Sequence, residues 1–151
     1  MRQNKLRVYV HFVWATWDRV PFISEKVERE LYRYIQGVCQ KLGCDVLALN
    51  GTADHVHLLV QFPTTLTIAD LIEAVKGSSS RFVNEILKPE EHFKWQGHYG
   101  AFTVSPHEKS KVIDYIKSQK QHHASGAVWK HAEESEEYID KQPQSMSLPT
   151  T

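Results

Sequence analysis

Residues 54–62, DHVHLLVQF, constrain the fold more than any other segment, because two kinds of side chain alternate along them. Every second position is apolar: Val56, Leu58, Val60 and Phe62. His55 and His57 lie between these apolar positions. Side chains two positions apart on a β-strand point to the same side of the sheet. The pattern therefore predicts a strand with one face in the core and a second face that presents two histidines.

The two histidines are spaced to bind one metal ion together. On a strand that rises about 3.3 Å per residue, the Cα atoms of His55 and His57 lie roughly 6.5–7 Å apart. Both rings can then reach one ion at about 2.1 Å from each nitrogen. A pair of solvated or structural histidines is the plainer interpretation of any His-x-His motif. A structural pair in the core is disfavoured here, because the other face of the strand already supplies an apolar core.

A second segment offers further polar groups for such a site. Residues 108–123, EKSKVIDYIKSQKQHH, follow Pro106 and carry apolar residues at helical spacing, which predicts a helix. Tyr115 and Gln119 are four residues apart and are therefore neighbours on one helix face. Gln119 offers a carbonyl oxygen to a metal, and Tyr115 offers a phenolic oxygen that can attack phosphorus. A nearby divalent cation would stabilise the phenolate, which otherwise forms at a pKa of about 10.

The same spacing also occurs at Tyr32 and Gln36, in an earlier predicted helix. The apolar stripe of that helix is Val27, Leu31, Ile35, Val38 and Leu42. This stripe leaves Tyr32 on the more solvent-exposed face of the helix. We therefore predict no functional role for the pair. From residue types alone, Tyr115 fits a half-buried structural tyrosine as well as it fits a nucleophile.

Residues 8–123 resemble the single-tyrosine HUH transposases of the insertion-sequence-200 type and their relatives associated with repetitive extragenic palindromes. Three segments carry the resemblance in the family's order: NGTADHVHLLVQFP (50–63), IADLIEAVKGSSSRFVNE (68–85) and KWQGHYGAFTVSPHEKSKVIDYIKSQKQHH (94–123). A lone HVH motif is weak evidence for the family. HVHLLV followed later in the chain by YIKSQKQHH is strong evidence.

The resemblance implies the site and its chemistry. It makes His55, His57 and Gln119 the ligands of one divalent metal, with water or phosphate oxygens in the remaining positions. Such oxygen-rich coordination favours Mg²⁺ or Mn²⁺, although two imidazoles would also accept zinc or nickel in a preparation. It makes Tyr115 the nucleophile that cleaves single-stranded DNA through a 5′-phosphotyrosine intermediate, so that no nucleotide cofactor is needed. Relatives recognise DNA hairpins near the ends of mobile elements. Many form homodimers in which the tyrosine helix can serve the partner's histidine pair.

The resemblance ends after His123. Relatives continue into an apolar helix, whereas this chain continues with ASGAVWKHAEESEEYIDKQPQSMSLPTT. Two alternatives of other classes stay open. One is a domesticated relative that binds hairpin DNA or RNA without cutting it. The other is a metal-dependent hydrolase in which the histidines activate water and Tyr115 is structural.

We predict an α+β fold with the element order βαββαβα. The predicted strands cover 6–16, 44–50, 55–62 and 98–105, and the predicted helices cover 24–42, 67–87 and 108–122. This order fits a ferredoxin-like or RRM-like four-stranded antiparallel sheet with two helices on one face, the fold that the family also has. The histidines would occupy the open face, where the final, catalytic tyrosine helix can cross them. Asn50 followed by Gly51 predicts the turn between the strands at 44–50 and 55–62, although the loop through Asp54 is longer than a two-residue turn.

The length of 151 residues fits one domain, which we place at 1–141 and follow with a disordered tail at 142–151. No run of residues approaches the 18 or so apolar residues of a membrane span, and the N-terminus lacks a signal-peptide pattern. We therefore expect a cytoplasmic protein without a membrane partner. Cys39 and Cys44 lack the spacing of a metal or redox motif and are expected to be reduced thiols.

The net charge of zero at pH 7 at first argues against a nucleic-acid enzyme. Five acidic residues lie between positions 133 and 140, however, so residues 1–132 hold 17 basic and 13 acidic residues. The candidate phosphate contacts are Arg7, Lys76, Ser79, Arg81, Lys117 and Lys120. Taken singly, each is more typical of a solvated surface. The segment KGSSSR at 76–81 is the best candidate, because lysine, small hydroxyls and arginine together can follow a phosphate backbone.

The first strand also leads to a prediction about assembly. An antiparallel sheet of this size has edge strands that must be covered or paired. The segment LRVYVHFVWAT at 6–16 is long and apolar. We predict that it forms such an edge and pairs with its copy in a two-fold homodimer.

Overall fold

The computed structural model describes residues 4–121 of the chain. Its strands are β1 (Tyr9–Ala15), β2 (Asp45–Gly51), β3 (His55–Gln61) and β4 (Gly100–Val104). Its helices are α1 (Glu25–Lys41), α2 (Ile68–Phe82) and α3 (Lys109–Lys117), with a 3-10 turn at Trp17–Arg19 and a π-helical turn at Val83–Leu87. No helix within residues 4–121 is long and apolar enough to cross a membrane. The predicted tail at 142–151 and the predicted domain end at 141 lie outside the described residues.

The four strands form one antiparallel sheet in the order β2-β3-β1-β4. This arrangement confirms the predicted α+β fold and its element order.

The prediction that the first strand is an edge was wrong. β1 pairs with β3 on one side and with β4 on the other. All seven of its residues are buried, so its apolar character reflects burial on both faces of the sheet rather than an edge awaiting a partner. The edges of the described sheet are β2 and β4. A dimer through β1 is therefore excluded in this fold, and a homodimer of any other kind stays a prediction.

Helices α1 and α2 cover one face of the sheet. Ser24 begins α1 by accepting a hydrogen bond from the backbone nitrogen of Val27, and Thr67 begins α2 by accepting one from that of Asp70. The apolar side chains predicted for one face of β3 all lie in the core beneath these helices: Val56, Leu58, Val60 and Phe62. The histidine face of β3 is therefore turned away from α1 and α2.

The turn between β2 and β3 lies within the loop predicted to extend through Asp54, but not at Asn50 and Gly51. Asn50 and Gly51 are still paired within β2, and the turn comprises residues 52–54. Gly51 is needed for a close approach, because a Cβ atom at this position would overlap the carbonyl oxygen of His55. The glycine thus lets the backbone of β2 pass tightly against the start of the histidine strand.

Helix α3 packs on the other face of the sheet. A second apolar cluster lies between this helix and the strands and includes Tyr9, Ala48, Leu59, Val104, Val112 and Ile116. The helix is interrupted at Ser118, which leaves the helical conformation with φ −98° and ψ 15°, and residues 119–121 are helical again. The predicted helix over 108–122 is therefore broken by one turn, and residue 122 lies outside the described residues. Nδ2 of Asn50 in β2 donates a hydrogen bond at 3.0 Å to the carbonyl oxygen of Lys117. This bond satisfies one of the unpaired carbonyls at the end of the helix and fastens it to the sheet.

Candidate active site

The histidine pair lies on β3, on the sheet face that α3 crosses. His55 is 1% exposed and His57 is fully buried. Their ring centroids are 5.2 Å apart, and the ring planes are inclined at 76°. Leu59, two positions further along β3, belongs to the apolar cluster beneath α3. The predicted common face of the two histidines is therefore confirmed.

Two side chains from the predicted tyrosine helix reach the histidines. The ring of Tyr115 lies edge-on to that of His57, with centroids 5.8 Å apart and planes inclined at 81°. Gln119, just beyond the end of α3, places Oε1 at 3.3 Å from Nε2 of His55. Both side chains are buried. The structure thus brings together the four predicted site residues of one chain, while their catalytic and ligand roles stay predictions.

A carboxylate and a hydroxyl contact Nδ1 of His55, the ring nitrogen that does not face Gln119. Its Nδ1 lies 2.8 Å from Oδ1 of Asp54 and 2.9 Å from Oγ1 of Thr52, and the other carboxylate oxygen lies 3.3 Å from Nε of Arg19. Burial would raise the pKa of Asp54, but the hydrogen bond to His55 and the charge of Arg19 lower it to about 2. An ionised carboxylate only accepts hydrogen bonds, so Nδ1 of His55 carries the hydrogen. Nε2 then directs its lone pair towards Gln119.

The side chain of Gln119 has a buried polar atom that is not satisfied. Its Nε2 has no hydrogen-bond partner among the described residues, and its Oε1 faces another acceptor atom, Nε2 of His55, at 3.3 Å. Two acceptors repel each other unless a donor or a cation lies against both, or the amide turns over and presents Nε2 as the donor. Two ligands of one ion, each bonded at about 2.0–2.2 Å, lie roughly 3.0–3.4 Å apart. The donor set of His55, His57 and Gln119 therefore fits a divalent metal.

A third histidine, His11 on β1, also lies at the site. It is fully buried, and its Nε2 lies 2.8 Å from Nδ1 of His57. This residue was not predicted from the sequence. The two histidines are 46 positions apart, and only the register of β1 against β3 makes them neighbours. The one sequence signal is a histidine within an otherwise apolar strand.

Comparison with known proteins decides the family. The family model described as Transposase IS200 like matches residues 4–119, which include all of the site residues described above. The chain belongs to the IS200-like transposases. It is 26% identical to the ISDra2 transposase TnpA of Deinococcus radiodurans over 129 residues, which cover 79% of this chain and 92% of that protein. It is 28% identical to the IS200 transposase of Salmonella typhimurium over 115 residues, which cover 72% of this chain and 74% of that protein.

Two solved structures share the fold of this transposase. One is a crystal structure from Deinococcus radiodurans, described as a candidate transposase, with a TM-score of 0.62 and 27% identity over 79% of this chain and 98% of that one. The other is the REP-associated tyrosine transposase bound to a REP hairpin, with a TM-score of 0.60 and 13% identity over 100% of this chain and 92% of that one. The resemblance predicted from the histidine and tyrosine segments is confirmed.

The transposase's other tyrosine and glutamine pair, Tyr32 and Gln36, lies on α1 and thus on the far side of the sheet from the histidines. Gln36 is exposed, whereas Tyr32 is half-buried and packs against the main core rather than lying on a wet surface as predicted. Burial, reinforced by the nearby Glu28, raises the pKa of Tyr32. The pair lies away from the histidine site, and its lack of a functional role stays a prediction.

Four of the six predicted nucleic-acid contacts are exposed in the transposase: Arg7, Arg81, Lys117 and Lys120. Lys120 differs from the others in that Nζ is 2.5 Å from Oε1 of Glu28 and 2.7 Å from Oδ1 of Asn50. Its charge is therefore partly neutralised within the protein. Contact of any of these residues with DNA stays a prediction.

The other two predicted contacts have structural partners. Nζ of Lys76 donates to the carbonyl oxygens of Gln96 at 2.6 Å and of His98 at 3.0 Å, and burial lowers the pKa of Lys76 to about 8. Ser79 is fully buried, and its hydroxyl accepts a hydrogen bond at 2.9 Å from Nε1 of Trp95. In this conformation Ser79 is not accessible to a phosphate backbone.

Proposed function

We propose that this transposase cuts and rejoins single-stranded DNA with Tyr115 as the nucleophile. The observation that supports the proposal is the convergence, within one chain, of Tyr115 on His57 and of Gln119 on His55. The phenolic oxygen of Tyr115 attacks the phosphorus of a phosphodiester, and the bond from phosphorus to the 3′ oxygen breaks. The 3′ oxygen leaves as a hydroxyl after taking up a proton, and the 5′ phosphate stays bonded to the tyrosine.

Rejoining is the same exchange in reverse. A 3′-hydroxyl attacks the phosphotyrosine, a new phosphodiester forms, and the phenol of Tyr115 is released. Because the tyrosine ester retains the energy of the original phosphodiester, the reaction needs no nucleotide cofactor. Retention of this energy in a covalent intermediate distinguishes a strand-transfer enzyme from a hydrolase, in which water cleaves the phosphodiester and the energy is lost.

His55, His57 and Gln119 would hold one divalent ion, Mg²⁺ or Mn²⁺. When bound, such an ion polarises the phosphoryl group and stabilises the phenolate. The chain's own groups orient the ligands. Asp54 fixes the tautomer of His55 from behind and leaves the other ring nitrogen for the ion.

We propose a DNA hairpin as the element that is recognised. The support is the REP-associated tyrosine transposase of the same fold, which was solved bound to a REP hairpin. The exposed side chains of Arg7, Arg81 and Lys117 would supply phosphate contacts. Any imperfect palindromes found in the DNA that flanks the gene would be the sequences to test first.

The test is a covalent-adduct assay. An oligonucleotide that contains such a palindrome and its single-stranded flank, labelled at the 3′ end, is incubated with the protein and Mg²⁺ or Mn²⁺ and resolved on a denaturing gel. Wild-type protein should give a labelled band at the mass of protein plus DNA. Tyr115→Phe should give none while binding the hairpin equally well. Tyr32→Phe is the matched control and should behave as wild type.

The outcomes separate the alternatives. Strand cleavage without an adduct, unchanged in Tyr115→Phe, would indicate a hydrolase. Binding with neither cleavage nor adduct would indicate a non-cleaving DNA- or RNA-binding protein. His57→Ala and excess chelator should both abolish cleavage and spare hairpin binding, and full cleavage in excess chelator would reject the metal.

A further inference from the structure

His11 contacts His57 on the side away from the proposed metal. The register of β1 against β3 pairs His11 with Leu59 and Val13 with His57, so the two histidines lie on the same face and two positions apart. Nε2 of His11 lies 2.8 Å from Nδ1 of His57. The ring centroids are 5.0 Å apart with an inclination of 33°, and neither side chain has exposed surface.

The contact has a direct consequence for the tautomer of His57. A neutral imidazole has one nitrogen that donates and one that accepts. If Nε2 of His57 ligates a metal, its lone pair must be on Nε2 and its hydrogen on Nδ1. The Nδ1–H group then donates to Nε2 of His11, and His11 carries its own hydrogen on Nδ1. The opposite assignment would place a hydrogen on Nε2 of His57 and block ligation.

We infer that His11 is a positioning residue that holds His57 in the tautomer and orientation needed to bind the metal. The inference rests on the proposed metal site and deepens it. The two proposed ligands then have different hydrogen-bond partners at Nδ1. The partner of His55 is the carboxylate of Asp54, and the partner of His57 is the imidazole of His11. Hydrogen-bond partners of this kind typically change metal affinity by about 10–100-fold when they are removed.

His11 is a poor candidate for a fourth ligand. Its Nε2 is directed at the back of His57, and the residues that the structure describes contain no group of three His, Cys, Asp or Glu side chains able to hold a metal. Its burial also excludes direct contact with DNA. What it can do is accept a hydrogen bond from His57 in a site closed to water, where an unpaired N–H group is costly.

The experiment uses two variants that differ in whether position 11 can accept a hydrogen bond. His11→Phe keeps a ring of similar size without an acceptor, and His11→Gln keeps a carbonyl oxygen that can accept. Mn²⁺ affinity is measured by calorimetry on the full chain without DNA. The dissociation constant should rise about 10–100-fold in His11→Phe, and His11→Gln should recover most of the loss. His107→Ala, which removes an exposed histidine, should leave the affinity unchanged.

A second readout needs no metal. Long-range proton–nitrogen correlation spectra of the wild-type protein should show the hydrogen of His57 on Nδ1, and His11→Phe should lose this preference. Equal Mn²⁺ affinity of wild type and both variants would overturn the inference, as would a hydrogen on Nε2 of His57 in the wild type. If wild type binds no Mn²⁺, the proposed metal site fails, and the tautomer measurement still decides the role of His11.

Discussion

The rings of Tyr115 and His57 meet edge to face within a single chain, with centroids 5.8 Å apart. The helix that carries Tyr115 is fastened to β2 of the same chain through Asn50. The proposed nucleophile and ligands therefore assemble in one subunit. The homodimer in which the tyrosine helix serves the partner's histidines, implied by the family resemblance, stays a prediction.

The first prediction concerns this arrangement within one chain. Tyr115→Phe and His57→Ala subunits, mixed in equal amounts, should stay inactive, because neither contains both the nucleophile and the complete ligand set. The adduct gel measures this directly if the two variants carry tags of different mass. An adduct on the His57→Ala subunit would contradict the prediction and show that its tyrosine helix reaches a partner's site. Light scattering at micromolar concentration gives the oligomeric state in parallel.

The second prediction concerns Gln119. Gln119→Leu should keep or raise the stability of the metal-free protein, by up to about 1 kcal/mol, because it removes a buried amide nitrogen that has no hydrogen-bond partner within residues 4–121. The same change should weaken Mn²⁺ binding, since it removes a ligand oxygen. Urea unfolding and calorimetry measure the two effects. Gln36→Leu, an exposed position, is the control for both. A decrease of several kcal/mol in the free energy of unfolding of Gln119→Leu would mean that the amide stabilises the fold.

The third prediction concerns the attachment of α3. Asn50→Ala removes the hydrogen bond to the carbonyl oxygen of Lys117 and the bond from Nζ of Lys120, which should cost about 1 kcal/mol. Hydrogen exchange should speed up selectively in α3. Asn84→Ala is the matched control, because Asn84 also makes two hydrogen bonds, both to the backbone of Phe93. If Asn84→Ala also speeds up hydrogen exchange selectively in α3, the effect of Asn50→Ala cannot be assigned to its hydrogen bond with Lys117.

The fourth prediction separates two lysines near the tyrosine helix. Lys117→Ala should weaken hairpin binding. It should also reduce the slope of the logarithm of the binding constant against the logarithm of the salt concentration by about one. Lys120→Ala should have a smaller effect, because Glu28 already pairs with that ammonium group. Lys41→Ala, at the exposed end of α1, is the control. Titrations at several salt concentrations measure the slope, and equal slopes for all three variants would rule out Lys117 as a phosphate contact.

The fifth prediction concerns pH. Burial lowers the pKa of Lys76 to about 8, whereas an unfolded lysine has a pKa of about 10.4. Between these values the unfolded chain binds more protons, so this group makes stability rise with pH, by at most about 1.4 kcal/mol per pH unit. Lys76→Met lacks the ammonium group and should lose this rise. Urea unfolding between pH 7.5 and 10 measures the free energy of unfolding of wild type and variant. If the difference between the two free energies does not change with pH, the lowered pKa of Lys76 is contradicted.

Several features of this protein were set by local patterns in the sequence. The alternation in β3 determined which of its side chains enter the core and placed His55 and His57 on one face. Helical spacing did the same for Tyr115 and Gln119. Such patterns are readable because side-chain direction in a strand or helix depends only on position along that element. The nature of the site and the α+β order followed from these patterns and from the family resemblance.

The tertiary structure decided how these elements meet. It placed β1 in the middle of the sheet rather than at its edge, and it brought His11 against His57 from a distant part of the chain. It also gave Lys76 and Ser79 partners inside the protein, although their segment had the composition of a phosphate-binding surface. None of these contacts has a local signature. Each depends on strand order, register or helix packing, which only the folded chain as a whole determines.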